Sequence, residues 1–125
     1  MTLTLWGWLL IAFGGAIGAS LRYGVERVVA RRSAITHFPL ALFVVNTVGS
    51  FIAGFVVTLS ERGPATLFLV VGVAGALTTY SGFARASGVL WRKSRHIFWY
   101  AVAGITVSSL TAVVLGIACA HLLIG

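Results

Sequence analysis

The stretch GVAGALTTYSGF, residues 72–83, decides how the rest of the chain is read. It lies inside an uncharged run from Gly63 to Ala84, yet it sets four consecutive hydroxyl residues, Thr78 to Ser81, between glycines and ends on an aromatic ring. Gly72 and Gly75 lower helix propensity, and the hydroxyls behind them offer substitute partners for lost backbone bonds. The pattern predicts a helix broken within residues 75–81. In lipid such a break is tolerated only where it is buried in protein or lines a watery cavity, and its freed carbonyls are ready cation ligands. Tyr80 and Phe83, three apart, can send both rings to nearly one face.

The setting of this stretch is a membrane. The 125-residue chain is 59% hydrophobic and 9% charged with a mean hydropathy of +1.04, more apolar surface than one small soluble core can hide. Uncharged or nearly uncharged runs cover Met1 to Leu21, Ser33 to Ser60, Gly63 to Ala84 and Ile97 to Gly125, each long enough for a span of roughly 20 helical residues. Backbone groups in lipid must be satisfied internally, so the reading is an all-α membrane protein of one domain. Its four helices are expected at residues 3–24, 38–60, 64–90 and 97–123, the third of them broken near mid-membrane. A cleavable signal peptide fits the N-terminus poorly, because no basic stretch precedes Leu3 and Trp6 and Trp8 look like interfacial anchors. The single cysteine, Cys119, excludes an intrachain disulfide and reads as a small packing residue of the last span.

A net charge of +7 would suggest nucleic acid for a soluble protein, but here position matters more than sum, and no nucleic-acid partner is expected. Arg27, Arg31 and Arg32 fall in the first connection and Arg92, Lys93 and Arg95 in the third, whereas Arg62, beside Glu61, is alone in the second. The positive-inside rule then puts the first and third connections in the cytoplasm and both termini outside.

The remaining polarity lies within the spans, where it marks a pathway or a binding site. In GGAIGASLRY, Gly14 to Tyr23, Gly14 and Gly18 form a GxxxG pair that bares one helix face to a close neighbour, and Arg22 follows one turn later. In FPLALFVVNTVGSFIAGF, Phe38 to Phe55, Pro39 opens the helix and Asn46 lies about a third of the way through. Its amide serves either an interhelical hydrogen bond or a pore.

Together, in order, spacing and placement of one per span, these motifs resemble the small fluoride channels called Fluc or CrcB, over essentially the whole chain. The resemblance implies a fluoride-selective passive channel, not an enzyme, that exports fluoride from the cytoplasm and protects against its toxicity. It also implies a multi-pass protein of the bacterial or archaeal plasma membrane, surrounded by lipid and assembled as an antiparallel dimer, with a structural sodium ion on the two-fold axis. By the same resemblance Asn46 is the pore asparagine and Tyr80 and Phe83 hold the positions of two phenylalanines whose ring edges face the ion. Ser81 with Ser108, Ser109 or Thr111 continues a hydroxyl track. Gly75 and Thr78 supply the carbonyls for sodium, and Arg22 closes the first motif. Amide N–H groups, hydroxyls and ring edges are donors suited to a small, strongly hydrated anion.

The chain also departs from that family. Ala41-Leu42 stands for the usual Gly-Thr, Tyr80 for phenylalanine and Gly82 for a hydroxyl residue, and Ala84-Arg85-Ala86 falls where an acid often follows. The charge bias favours one-way insertion, hence pairing with a paralogous subunit over pairing with itself. Two other classes stay open: an accessory or structural subunit of a heterodimeric membrane complex, and a small multidrug-type transporter. The last needs a carboxylate inside the membrane, and Glu26 and Glu61, the two acids, lie at or beyond span ends.

Overall fold

A computed structural model describes residues 3–60 and 63–125. Helix α1 (Leu5–Thr36) opens with the Thr4 hydroxyl accepting from the Gly7 N–H, and α2 (Leu40–Leu59) follows a tight turn. The third span, Thr66–Lys93, has three parts: a π-helical segment Thr66–Ala74, a short α3 (Gly75–Leu77) and α4 (Tyr80–Lys93). Ser94 alone separates α4 from α5 (Arg95–Ile124). All four spans are long and apolar enough to cross a membrane. Glu61 and Arg62 of the second connection lie outside the described residues.

Two boundaries differ from the sequence reading. Helix α1 does not end near residue 24 but runs on to Thr36, so Arg27, Arg31 and Arg32 ride on a helical extension rather than a loop. Arginine, alanine and glutamate are good helix formers, and nothing breaks the chain before His37, which caps α1 in the left-handed region at φ 58° ahead of Phe38-Pro39. The 32 residues of α1 measure about 48 Å, well beyond a hydrocarbon core of about 30 Å. Likewise the third connection shrinks to Ser94, leaving Arg92 and Lys93 in the last turn of α4 and Arg95 in the first of α5.

Close packing follows the glycines. A methyl added at Gly14 would strike the Phe68 carbonyl and one at Gly18 the Val73 carbonyl, so α1 meets the π-helical segment backbone to backbone. Gly54 and Gly116 play the same part between α2 and α5, where added methyls would meet the Val113 and Phe51 carbonyls. The first half of the third span is thereby held by α1 and α2, whereas α4 packs on α5. That change of neighbours happens at the break, with the span bent 19°. Cys119 is exposed on α5 rather than packed, which corrects the sequence expectation, since Gly116 and Ala120 occupy the buried face.

Candidate functional site

The break is confined to Thr78 and Thr79, both extended, at ψ 156° and ψ 118°. Asn46 of α2 holds it open. Its Oδ1 accepts from the Thr79 N–H at 2.8 Å and its Nδ2 donates to the Thr79 carbonyl at 3.4 Å, so the side-chain amide pairs with the chain as a neighbouring strand would. The Thr79 N–H fixes which end of the amide is oxygen and leaves one Nδ2 hydrogen unpaired. On the far side the Thr79 hydroxyl caps α4 by accepting from the Gly82 N–H at 3.0 Å.

These bonds give the break two electrostatic ends. In a continuous helix the Thr79 N–H would serve the Gly75 carbonyl and the Gly82 N–H the Thr78 carbonyl; here Asn46 and the Thr79 hydroxyl take them instead. The carbonyls of Gly75 and Thr78 are thus released from helical bonding, a neutral oxygen set of the kind hard cations use. Beyond Thr79, at the other end of the break, the N-terminus of α4 has no acidic residue in its first turn to offset its partial positive charge.

Two cavities meet at Thr79. A groove of about 350 Å³ is lined by Asn46, Ser50, Thr78, Thr79, Tyr80, Phe83, Ile105, Thr106 and Ser109. The Ser109 hydroxyl lining it is buried without a hydrogen-bond partner. The rings of Tyr80 and Phe83 stand 6.2 Å apart, and Tyr80 is 82% exposed, so one side of the groove lacks a wall. On the other side of Thr79, where α4 leaves α1, a vestibule of about 780 Å³ is lined by Arg22, Glu26, His37, Leu42, Ser81 and Arg85 among others.

The residues singled out in the sequence divide between these places. Asn46, Tyr80, Phe83, Thr78 and Ser109 share the groove, whereas Ser81 and Arg22 face the vestibule. Ser108 lies elsewhere, exchanging a 2.9 Å hydrogen bond with Thr47 across the α2–α5 contact. Thr111 is exposed and borders neither cavity. Sequence reasoning missed Thr79, Ser50 and Thr106. Ser50 was within reach, because it is one turn from Asn46 and so shares its face.

Residues 9–121 match the profile of a family described as CrcB-like protein, Camphor Resistance (CrcB). This chain belongs to the CrcB-like family. Within it, a relative from Aeromonas salmonicida named "Fluoride-specific ion channel FluC" is 41% identical, over 86% of this chain and 90% of the relative. "Fluoride-specific ion channel FluC 1" of Listeria monocytogenes serovar 1/2a is 42% identical over 86% and 92%. "Fluoride-specific ion channel FluC" of Ignicoccus hospitalis is 37% identical over 85% of this chain and 88% of the relative. The stretch matched to the CrcB-like profile contains both cavities and every residue that joins them.

Proposed function

We propose that this CrcB-like chain is a passive, fluoride-selective channel through which fluoride leaves the cytoplasm. The observation that carries the reading is the groove at the break, in which seven of nine lining residues bear a hydroxyl or an amide. Fluoride gives up a strongly held water shell, so its path needs many donors of moderate strength rather than one buried cation that would trap it. The free Nδ2 hydrogen of Asn46, the orphan Ser109 hydroxyl, the positive edges of the Tyr80 and Phe83 rings and the N-terminal end of α4 are such donors. The names of the relatives point the same way.

The exposed side of Tyr80 supports assembly as an antiparallel dimer: a second subunit would wall the groove off from lipid. The carbonyls of Gly75 and Thr78 would hold a sodium ion together with their counterparts in that subunit. Sodium there would tie the two broken spans together and take no part in permeation.

Efflux from liposomes tests the channel. With the dimer partner present, fluoride should leave down its gradient without ATP or a proton gradient while chloride stays behind. Asn46→Ala should slow efflux roughly tenfold to hundredfold, the loss of a hydrogen bond to a charged group. Chloride flux matching fluoride, or strict proton coupling, defeats the reading. The sodium site has its own readout: replacing sodium by N-methylglucamine should lower the melting temperature and the dimer fraction together, and no change in either removes it.

A further inference from the structure

Where α4 turns into α5, positive charge accumulates, and among the described residues no carboxylate stands beside it in sequence. Arg92 and Lys93 end α4, and Arg95 and His96 begin α5, all four side chains exposed. The two acids of the whole sequence, Glu26 and Glu61, both precede the third span, so residues 63–125 contain no carboxylate side chain. Arg95 and His96 moreover occupy the first turn of a 30-residue helix, the end whose partial positive charge favours acids. Such an arrangement calls for an external anion.

The surroundings state what kind. The Arg95 guanidinium lies 3.4 Å from the centroid of the Trp91 ring. Stacking on that face holds it flat and leaves the N–H donors along its edge directed outward, a fork that fits two oxygens of a phosphate. Trp91 in turn contacts Phe98 edge-on at 4.9 Å and Trp99 at 6.5 Å, so the platform under Arg95 is itself braced. Trp99 and Tyr100 are 61% and 73% exposed, and tryptophan and tyrosine with exposed rings settle at headgroup depth. Immediately beyond, from Ile97 on, α5 becomes an apolar span. Phosphate recognition and an apolar footing therefore adjoin.

We propose that this corner, Trp91, Arg92, Lys93, Arg95, His96 and Trp99, is a binding site for the headgroup of an anionic phospholipid. The phosphodiester lies on the Arg95 fork at the N-terminus of α5, Arg92 and Lys93 flank it, and the acyl chains run down the face of Trp99. The site rests on the membrane reading of the four spans and not on fluoride, so it stands or falls separately from the channel.

The full-length protein, delipidated in a neutral detergent, is offered phosphatidylglycerol or phosphatidylcholine, and retained lipid is counted by native mass spectrometry. The wild type should retain phosphatidylglycerol over phosphatidylcholine. Arg95→Gln should lower that retention about fivefold, the effect of one basic charge at an anionic surface, while Arg31→Gln, on the α1 extension, should leave it unchanged. Arg95→Lys keeps the charge but cannot lie flat on Trp91, and should fall between; it also serves should Arg95→Gln fail to fold. Equal losses in the position 95 and position 31 variants reduce the effect to general attraction and overturn the site. Equal retention of phosphatidylcholine does so too, as does displacement of the lipid by equimolar inorganic phosphate.

Discussion

Leu42 and Gly82 stand where the resembling family carries threonine and a hydroxyl residue, and each alone reads as a lost donor. In the folded chain they are neighbours lining the vestibule. A methyl added at Gly82 would come within 2.9 Å of Thr79 Cγ2 and 3.1 Å of Leu42 Cδ2, so Leu42 fills space that a side chain at position 82 would need. The two departures are one steric exchange. Gly82→Thr alone should therefore cost about 1–3 kcal/mol through overpacking, and Leu42→Thr alone should leave a void. The double substitution should recover more than ~0.5 kcal/mol relative to the sum, the scatter of independent sites. Unfolding of all four proteins in one detergent measures this, and strict additivity would refute the exchange. The sequence showed both departures but not their coupling, because they lie in different spans and only the α2–α4 approach brings them together. Asn46 was legible for a related reason: an amide in a span must be satisfied, whatever its partner. That its partner is the backbone of Thr79 was not legible, since an extended residue leaves no mark on composition.

The elements were readable in proportion to how strongly lipid constrains them. Four apolar runs forced four spans, and threonines beside glycines announced a break. The i+5 hydrogen bonding of Thr66–Ala74 had no such signal, because TLFLVVGVA is as apolar as any α-helical span. It contains Gly72, which meets Gly14 of α1 backbone to backbone. A methyl at Gly72 would lie 2.9 Å from Gly14 Cα and 3.0 Å from the Ile11 carbonyl, so neither helix can carry a side chain there. Gly14→Val should accordingly cost ~3 kcal/mol or more, at the upper end of overpacking, because the atoms it meets are backbone and cannot rotate aside. Gly24→Ala, on the same helix but with nothing within 4 Å, should instead gain roughly 0.5–1 kcal/mol of helix propensity. Yield of monodisperse protein and melting temperature read both. A Gly14→Val protein that purifies and melts like the wild type would show that the α1 contact is not what holds the third span.

At the scale of the whole molecule, charge decides orientation. Gly18 packs against Val73, a few residues before the break, so depth can be counted along the helices from there. At 1.5 Å per residue Arg27 lies about 14 Å further along α1 and Arg31 and Arg32 about 20 Å, while Arg92 and Lys93 lie about 20 Å along α4 from Thr79. Half a hydrocarbon core is about 15 Å, so with the break at mid-membrane these side chains would sit at or just beyond one interface, where the positive-inside rule acts most strongly. Because they ride on helices rather than loops, they cannot relax to the other side without moving a span. With alternating spans, the end of α1 and the α4–α5 turn share that side, and the positive-inside rule predicts that it is the cytoplasmic one. A reporter fused after Gly125 should then read non-cytoplasmic in nearly every molecule. One-way insertion in turn means that an antiparallel dimer needs a second subunit of opposite bias. This chain reconstituted alone should pass little fluoride, and co-expression with such a subunit should restore efflux. Equal populations of inward and outward C-termini would contradict the orientation, and full efflux from the chain purified alone would return the assembly to a dimer of identical subunits.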